Sequence, residues 1–136
     1  MTTDAPSPLP VLTNEAAGLL RAIAHGFVTD GQVRFSAYVP SGDDGYKLSV
    51  DQEILSTVDE CIARRNSQQL QTAQVHRLTV GDVLATSTDY PVRVLDDHDP
   101  NKPMEVAHAS IDMMAGTRVQ RQAHAAAMLL AATLVR

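Results

Sequence analysis

Val106-Ala107-His108-Ala109-Ser110-Ile111-Asp112 is the stretch on which the reading of the fold turns. Ala107, Ala109 and Ile111 alternate with His108, Ser110 and Asp112, and a period of two marks a half-buried strand. One face of that strand packs on a core. The other lines up an imidazole, a hydroxyl and a carboxylate. Toward the C-terminus Gly116 breaks the chain and Thr117-Arg118-Val119-Gln120 is a capping box. The spacing predicts a helix over 118–134, with Val119, Ala123, Ala126, Leu130 and Leu134 on its apolar stripe. Arg118, Arg121 and Gln122 fall on its wet side.

Toward the N-terminus, Asp96 to Pro103 reads as a loop, because Asp99-Pro100 and Lys102-Pro103 exclude helix before each proline. Val92 to Leu95 is a short strand and Ala73 to Val80 a longer one, separated by a turn around Gly81. A short helix over 57–68 buries Val58, Cys61 and Ile62. Tyr46 to Val50 is extended, and Pro40 to Gly45 is a polar loop. Val33, Phe35, Ala37 and Val39 alternate with Arg34, Ser36 and Tyr38, which predicts a strand after an Asp30-Gly31 turn. Ala16, Leu19, Leu20, Ile23 and Ala24 have helical spacing behind Thr13 or Asn14 as cap, which predicts a first helix over 14–25. Three prolines among small polar residues make 1–10 a flexible arm ahead of one domain over 11–136.

Helices and strands are interspersed without strict alternation. The expected class is therefore α+β: a mixed or mostly antiparallel sheet of four to five strands, covered on one face by about three helices. A chain of 136 residues holds one such domain.

Composition excludes several function classes. A net charge of −5 argues against general nucleic-acid binding, which needs clustered Lys and Arg. The absence of Trp and an aromatic content of 4% argue against base-stacking platforms. The single Cys61 forms no internal disulfide and suits a reducing, cytoplasmic setting. No apolar run is long enough to span a membrane. No nucleotide, zinc or calcium motif is present, so neither cofactor nor metal is expected.

The candidate chemistry gathers around His108. His108, Ser110 and Asp112 cannot form a triad among themselves, since same-face neighbours on one strand lie ~7 Å apart. For an acid–base role of His108, Asp44 or Asp112 is the expected orienting group. Lys47, Arg34 and Ser49 are the expected contacts to an anionic substrate. On the last helix Ala123, Ala127, Leu130 and Leu134 offer an apolar interface for a protein partner or a second copy.

FSAYVP at 35–40, DGYKLSV at 44–50 and HASID at 108–112 together resemble a family of small uncharacterised bacterial proteins. The matching residues are Asp44, Lys47, Leu48, Ser49, His108, Ile111 and Asp112, and the likeness spans about 12–115. It departs after Val50, where Asp51-Gln52-Glu53 stands in place of a basic or aromatic residue. The resemblance implies a bacterial single-domain protein acting with another gene product, with Asp44, Lys47 and His108 near one another. Two functions stay open: a non-catalytic protein-binding or adaptor module, and a small hydrolase or group-transfer enzyme using His108 on an anionic substrate.

Overall fold

A computed structural model describes residues 9–68, 71–87, 89–102 and 105–136. The fold is α+β, built on a six-stranded sheet. Its strands are β1 Gly18–Ala24, β4 Lys47–Gln52, β5 Thr72–Thr79, β6 Arg93–Asp96, β7 His108–Asp112 and β8 Thr133–Leu134. They lie in the order β6-β7-β4-β1-β5-β8, and every neighbouring pair is antiparallel. A separate hairpin joins β2 Val28–Thr29 to β3 Gln32–Val33. Its turn residues, Asp30 and Gly31, take φ of 52° and 78°, the left-handed values that two-residue hairpin turns require. Among the described residues there are three α-helices: α1 Val58–Ser67, α2 Val80–Ala85 and α3 Arg118–Ala131. Among the described residues no helix is long and apolar enough to cross a membrane.

The helix expected over 14–25 is instead β1, the strand third from one edge of the sheet. Leu19 and Ile23 enter the larger core, while Leu20, next to Leu19, enters a second core on the opposite face. A strand covered on both faces reads as an apolar run, and short apolar runs also fit helical spacing. Burying each large side chain is worth roughly 1.5–3 kcal/mol. Helix propensity differs by only a few tenths of that per residue, so packing wins. Gly18 marks the start of the strand because the Glu53–Arg77 ion pair lies across it; a Cβ there would meet Glu53 Oε1 at 2.2 Å.

The strand expected over 33–39 breaks after Val33 into a 3₁₀ turn over Phe35–Tyr38. The turn puts the adjacent Ala37 and Tyr38 both inside, which no strand would do on one face. The arrangement also has helices on both faces of the sheet rather than one. α2, α3 and the Phe35–Tyr38 turn cover the larger core, with Val80, Val83, Ala125 and Met128 against Leu19, Leu48, Val50, Leu78 and Ile111. α1 covers the other face, where Cys61 packs on Leu20 and Val75.

α3 is rotated from the expected stripe and stops at Ala131. His124, Ala125 and Met128 face the core. Val119, Leu130 and Leu134 stand 73%, 88% and 60% exposed, and Leu134 lies on the edge strand β8. A buried histidine holds this rotation. His124 Nε2 donates to Val83 O at 2.9 Å, so its Nδ1 accepts from the Tyr90 hydroxyl at 2.6 Å. Of the expected arm over 1–10, residues 1–8 lie outside the described residues. Pro10 accepts a bond from Asp96 N at 2.8 Å, and Val11 bridges Leu95.

Candidate functional site

The site begins with an incomplete pairing in the sheet. β1 runs the length of β5, from Gly18 opposite Thr79 to Ala24 opposite Thr72. Against β4 it pairs only at Leu19↔Gln52 and Leu20↔Asp51. Gln52 N donates to Ala107 O at 2.7 Å and Met113 N to Tyr46 O at 3.0 Å. The even-numbered residues of β4 therefore exchange bonds with β7, and Lys47, Ser49 and Asp51 turn their amides toward β1. Beyond Leu20 no described strand pairs with them on that side.

Arg21 fills that split. Its Nη1 donates to Ser49 O at 2.8 Å, and its Nη2 and Nε donate to Ala37 O at 2.8 and 3.3 Å. Without it, the Ser49 carbonyl would lose the partner that β1 withholds. Burial pulls the Arg21 guanidinium down to about 10, and Arg65 nearby adds to the effect.

The split opens as a cleft of about 340 Å³. Arg21, Lys47 and Arg65 line it with Ser41 and Ser49, and Asp44 is the single acid among its described lining residues. Asp44 arrives from the Gly42–Asp44 3₁₀ turn, whose Ser41 side chain caps Asp43 N at 3.1 Å. Lys47 and Ser49 arrive on β4. The arginines of α1, which the macrodipole could place at a helix end, have a different role. Arg64 and Arg65 both bond the buried Asp51, at 2.9 and 3.1 Å, so one carboxylate serves two guanidinium groups.

On the face of the sheet beyond α1, side chains from three strands form a grid. In the first row Asp112 sits between Arg93, bonded at 2.7 Å, and Lys47, its partner in register. The second row is Leu95, Ser110 and Ser49. The third is Asp97, His108 and Asp51, fixed by the Asp97 N to His108 O bond and the Asp51↔His108 pairing. His108 Nε2 lies 3.2 Å from Ser49 Oγ and its Nδ1 lies 3.4 Å from Asp97 Oδ2. Ser110 Oγ donates to the same Asp97 oxygen at 3.3 Å.

The six expected site residues thus divide. Asp44, Lys47 and Ser49 share the cleft, and His108 reaches it through Ser49. Asp112 does not orient His108. It holds Arg93 and the Met114 amide, bonds that outweigh its partial burial and keep its carboxyl below the usual range. Arg34 lies by the β2–β3 hairpin and donates to Gly26 O, and it is not among the described residues that line the cleft. The residue the sequence reading missed is Asp97. Extending the alternation of Arg93 and Leu95 by one step puts it on the His108 face, but Asp96 to Asp99 reads as one solvated acidic turn.

His76 and His108 lie on β5 and β7 with β1 and β4 between them. Among the described residues no group of three His, Cys, Asp or Glu is placed to hold a metal ion. Cys61 is wholly buried, and burial raises its thiol to about 12, so it acts as a small apolar side chain. The chain matches no protein-family model, no curated protein and no solved structure.

Proposed function

We propose that the split between β1 and β4 binds a small anionic ligand, a carboxylate- or phosphate-bearing metabolite. The observation that carries this reading is the charge of the cleft: Arg21, Lys47 and Arg65 face one acid, Asp44. Among the described residues Arg21 is bonded to carbonyl oxygens alone, and Arg65 shares its carboxylate with Arg64. A partly desolvated excess of cations attracts an anion more strongly than the same charges in water. The volume, about 340 Å³, is at the small end of ligand pockets.

Titration with pyrophosphate and with citrate, followed by backbone amide NMR shifts, tests this. Shifts should cluster on 44–49 and 65. Lys47→Gln should weaken binding about tenfold, the worth of one charged hydrogen bond. Arg34→Gln should leave it unchanged. Shifts spread over the surface, or Lys47→Gln binding like the parent, would end the proposal.

A second reading, protein binding in a bacterial multi-component system, is favoured by α3. Val119, Ala123 and Leu130 are exposed along its outer side, with Ala127 half-buried between them. No acid follows Asp112 in the sequence, while Arg118, Arg121 and Arg136 do. That chemistry fits an amphipathic helix with acidic flanks on a different protein. A photo-crosslinker at Leu130 should capture an acidic helix in the host cell, whereas one at exposed Ile54 should not. Crosslinks between two copies of this chain, or equal capture at both positions, would overturn it.

A further inference from the structure

Ser49 on β4, His108 on β7 and Asp97, one residue beyond β6, lie side by side in the order hydroxyl, imidazole, carboxylate. From this geometry we infer that Ser49 is a nucleophile, His108 its general base and Asp97 the positioning residue, acting on a small anionic ester held in the cleft. The inference rests on the anion-binding reading of that cleft and assigns it a reaction.

The sequence alone ruled out a triad within β7, because neighbours on one strand are too far apart. Cross-strand pairing removes that objection. His108 is diagonal to Ser49 across the β4–β7 register, which brings Nε2 to 3.2 Å from Oγ. On its other side Asp97 stands 3.4 Å from Nδ1. Nδ1–H directed at the carboxylate leaves the Nε2 lone pair for the Ser49 proton. Ser110 donates to the same Asp97 oxygen and holds the carboxylate over the ring. Contacts of this kind are commonly loose before a substrate engages them.

Two further features set Ser49 apart from an ordinary strand serine. It is among the residues that line the cleft. Its amide faces the split rather than β7, which places an N–H donor beside the hydroxyl where an acyl oxyanion would form. Lys47, two residues away on the same face, adds positive charge there. Asp51, the acid opposite His108 in register, is held by two arginines.

The chemistry balances with water as the only co-reactant. Ser49 Oγ attacks the acyl carbon as its proton passes to His108 Nε2. The bond from the acyl carbon to the leaving oxygen breaks, and that oxygen takes the proton from Nε2. Water then attacks the acyl-serine, giving one proton to Nε2. The acyl–Oγ bond breaks, Oγ takes the proton back from Nε2, and the acid departs, releasing its remaining proton to solvent as it becomes a carboxylate. No oxidant or metal enters.

The test uses a fluorophosphonate, read by intact-mass and peptide mass spectrometry, and mono-4-nitrophenyl glutarate as an anionic ester. The expected result is one adduct, on Ser49, and ester hydrolysis that exceeds that of neutral 4-nitrophenyl butyrate. Ser49→Ala should abolish both signals. His108→Gln should slow them by about 10²–10⁴-fold, the range for a general base. Asp97→Asn should shift the pH profile of labelling, and Asp97→Glu should recover part of the rate, which a merely structural role would not do. Thermal unfolding of each variant confirms that it folds.

No adduct on Ser49 in the folded chain, or labelling indifferent to His108→Gln, would overturn the inference. Citrate separates it from the reading beneath it. Citrate shifts at 44–49 without labelling would refute the relay and leave the anion site. Labelling at Ser49 unaffected by saturating citrate, with no citrate shifts, would refute the anion site and leave the relay.

Discussion

The two faces of the sheet handle histidine in opposite ways. Under α3, His124 is almost wholly enclosed, and both ring nitrogens are bonded to groups that stay put, the Val83 carbonyl and the Tyr90 hydroxyl. His76 repeats the arrangement on the same side of the sheet, with Nδ1 against the Tyr38 hydroxyl at 2.8 Å and Nε2 against Gln74 at 3.0 Å. On the open face His108 is partly exposed, and its partners are a serine at a cleft and a carboxylate half in solvent. The ring is the same. What differs is whether its partners complete a core or stand at the edge of a cleft. The comparison teaches that a histidine's role follows from both of its nitrogens and from what lies beyond each partner.

The largest effect expected on that contrast is at its boundary, where α1 meets the grid. Asp51→Ala would leave Arg64 and Arg65 charged and almost buried without their carboxylate. Removing one partner of a buried pair costs about 3–5 kcal/mol. Urea unfolding should show a loss of that size. A loss under about 1 kcal/mol would mean that water reaches these arginines and that α1 does not seal this end of the grid.

Next is the direct comparison of the two histidines. His124→Ala removes a buried ring and leaves the Tyr90 hydroxyl and Val83 carbonyl without their partner. It should cost about 2–4 kcal/mol, combining a cavity with unmet hydrogen bonds. His108→Ala, at a partly exposed position, should cost under about 1 kcal/mol. Equal costs measured by urea unfolding would erase the distinction between the two faces.

Acid sharpens the same contrast. Burial lowers the pKa of both His76 and His124 below the ordinary 6.5. The unfolded chain therefore binds more protons than the folded one as pH falls through that region, and stability falls with it. Their contribution is complete above about pH 7 and is lost as the pH drops through their folded values. Asp96 and Asp112 act in a separate, lower window. Bonds from His98 and Gln52 on Asp96, and from Arg93 on Asp112, overcome the effect of burial and hold both below 3.8. Unfolding free energies from pH 8 to 5 should decline in the parent chain and decline less in a His76→Gln, His124→Gln double variant. Identical slopes would place the titrating groups elsewhere.

How much of this was legible follows from which residues carry local signals. The Thr117 cap, the Asp30-Gly31 turn and the alternation in β7 are written within a few residues, and the structure has them. β1 was misread because Leu19, Leu20 and Ile23 satisfy a helical period equally well. Only the sheet on either side decides between the two, and that information lies in β4 and β5. The site was half legible for the same reason. Lys47, Ser49 and His108 stand out as residue types, whereas Asp97 gains its role from a register with β7 that no local pattern encodes. Arg21, which fills the split, was read as part of a helix.

The smallest expected effect on stability is on α3, where Leu130, on the apolar stripe and among the expected interface residues, faces outward. At 88% exposed, Leu130 has little apolar area to lose. Leu130→Asp should change the unfolding free energy of the isolated chain by no more than about 0.5 kcal/mol. The same substitution puts a negative charge in a segment whose own charges are all positive after Asp112. Capture of an acidic partner helix by a crosslinker at neighbouring Ala127 should then drop, through like-charge repulsion and lost apolar contact. Stability unchanged with capture reduced assigns this residue to association rather than folding. A stability loss of several kcal/mol in the isolated chain would return Leu130 to a packed position and remove the basis for the α3 interface.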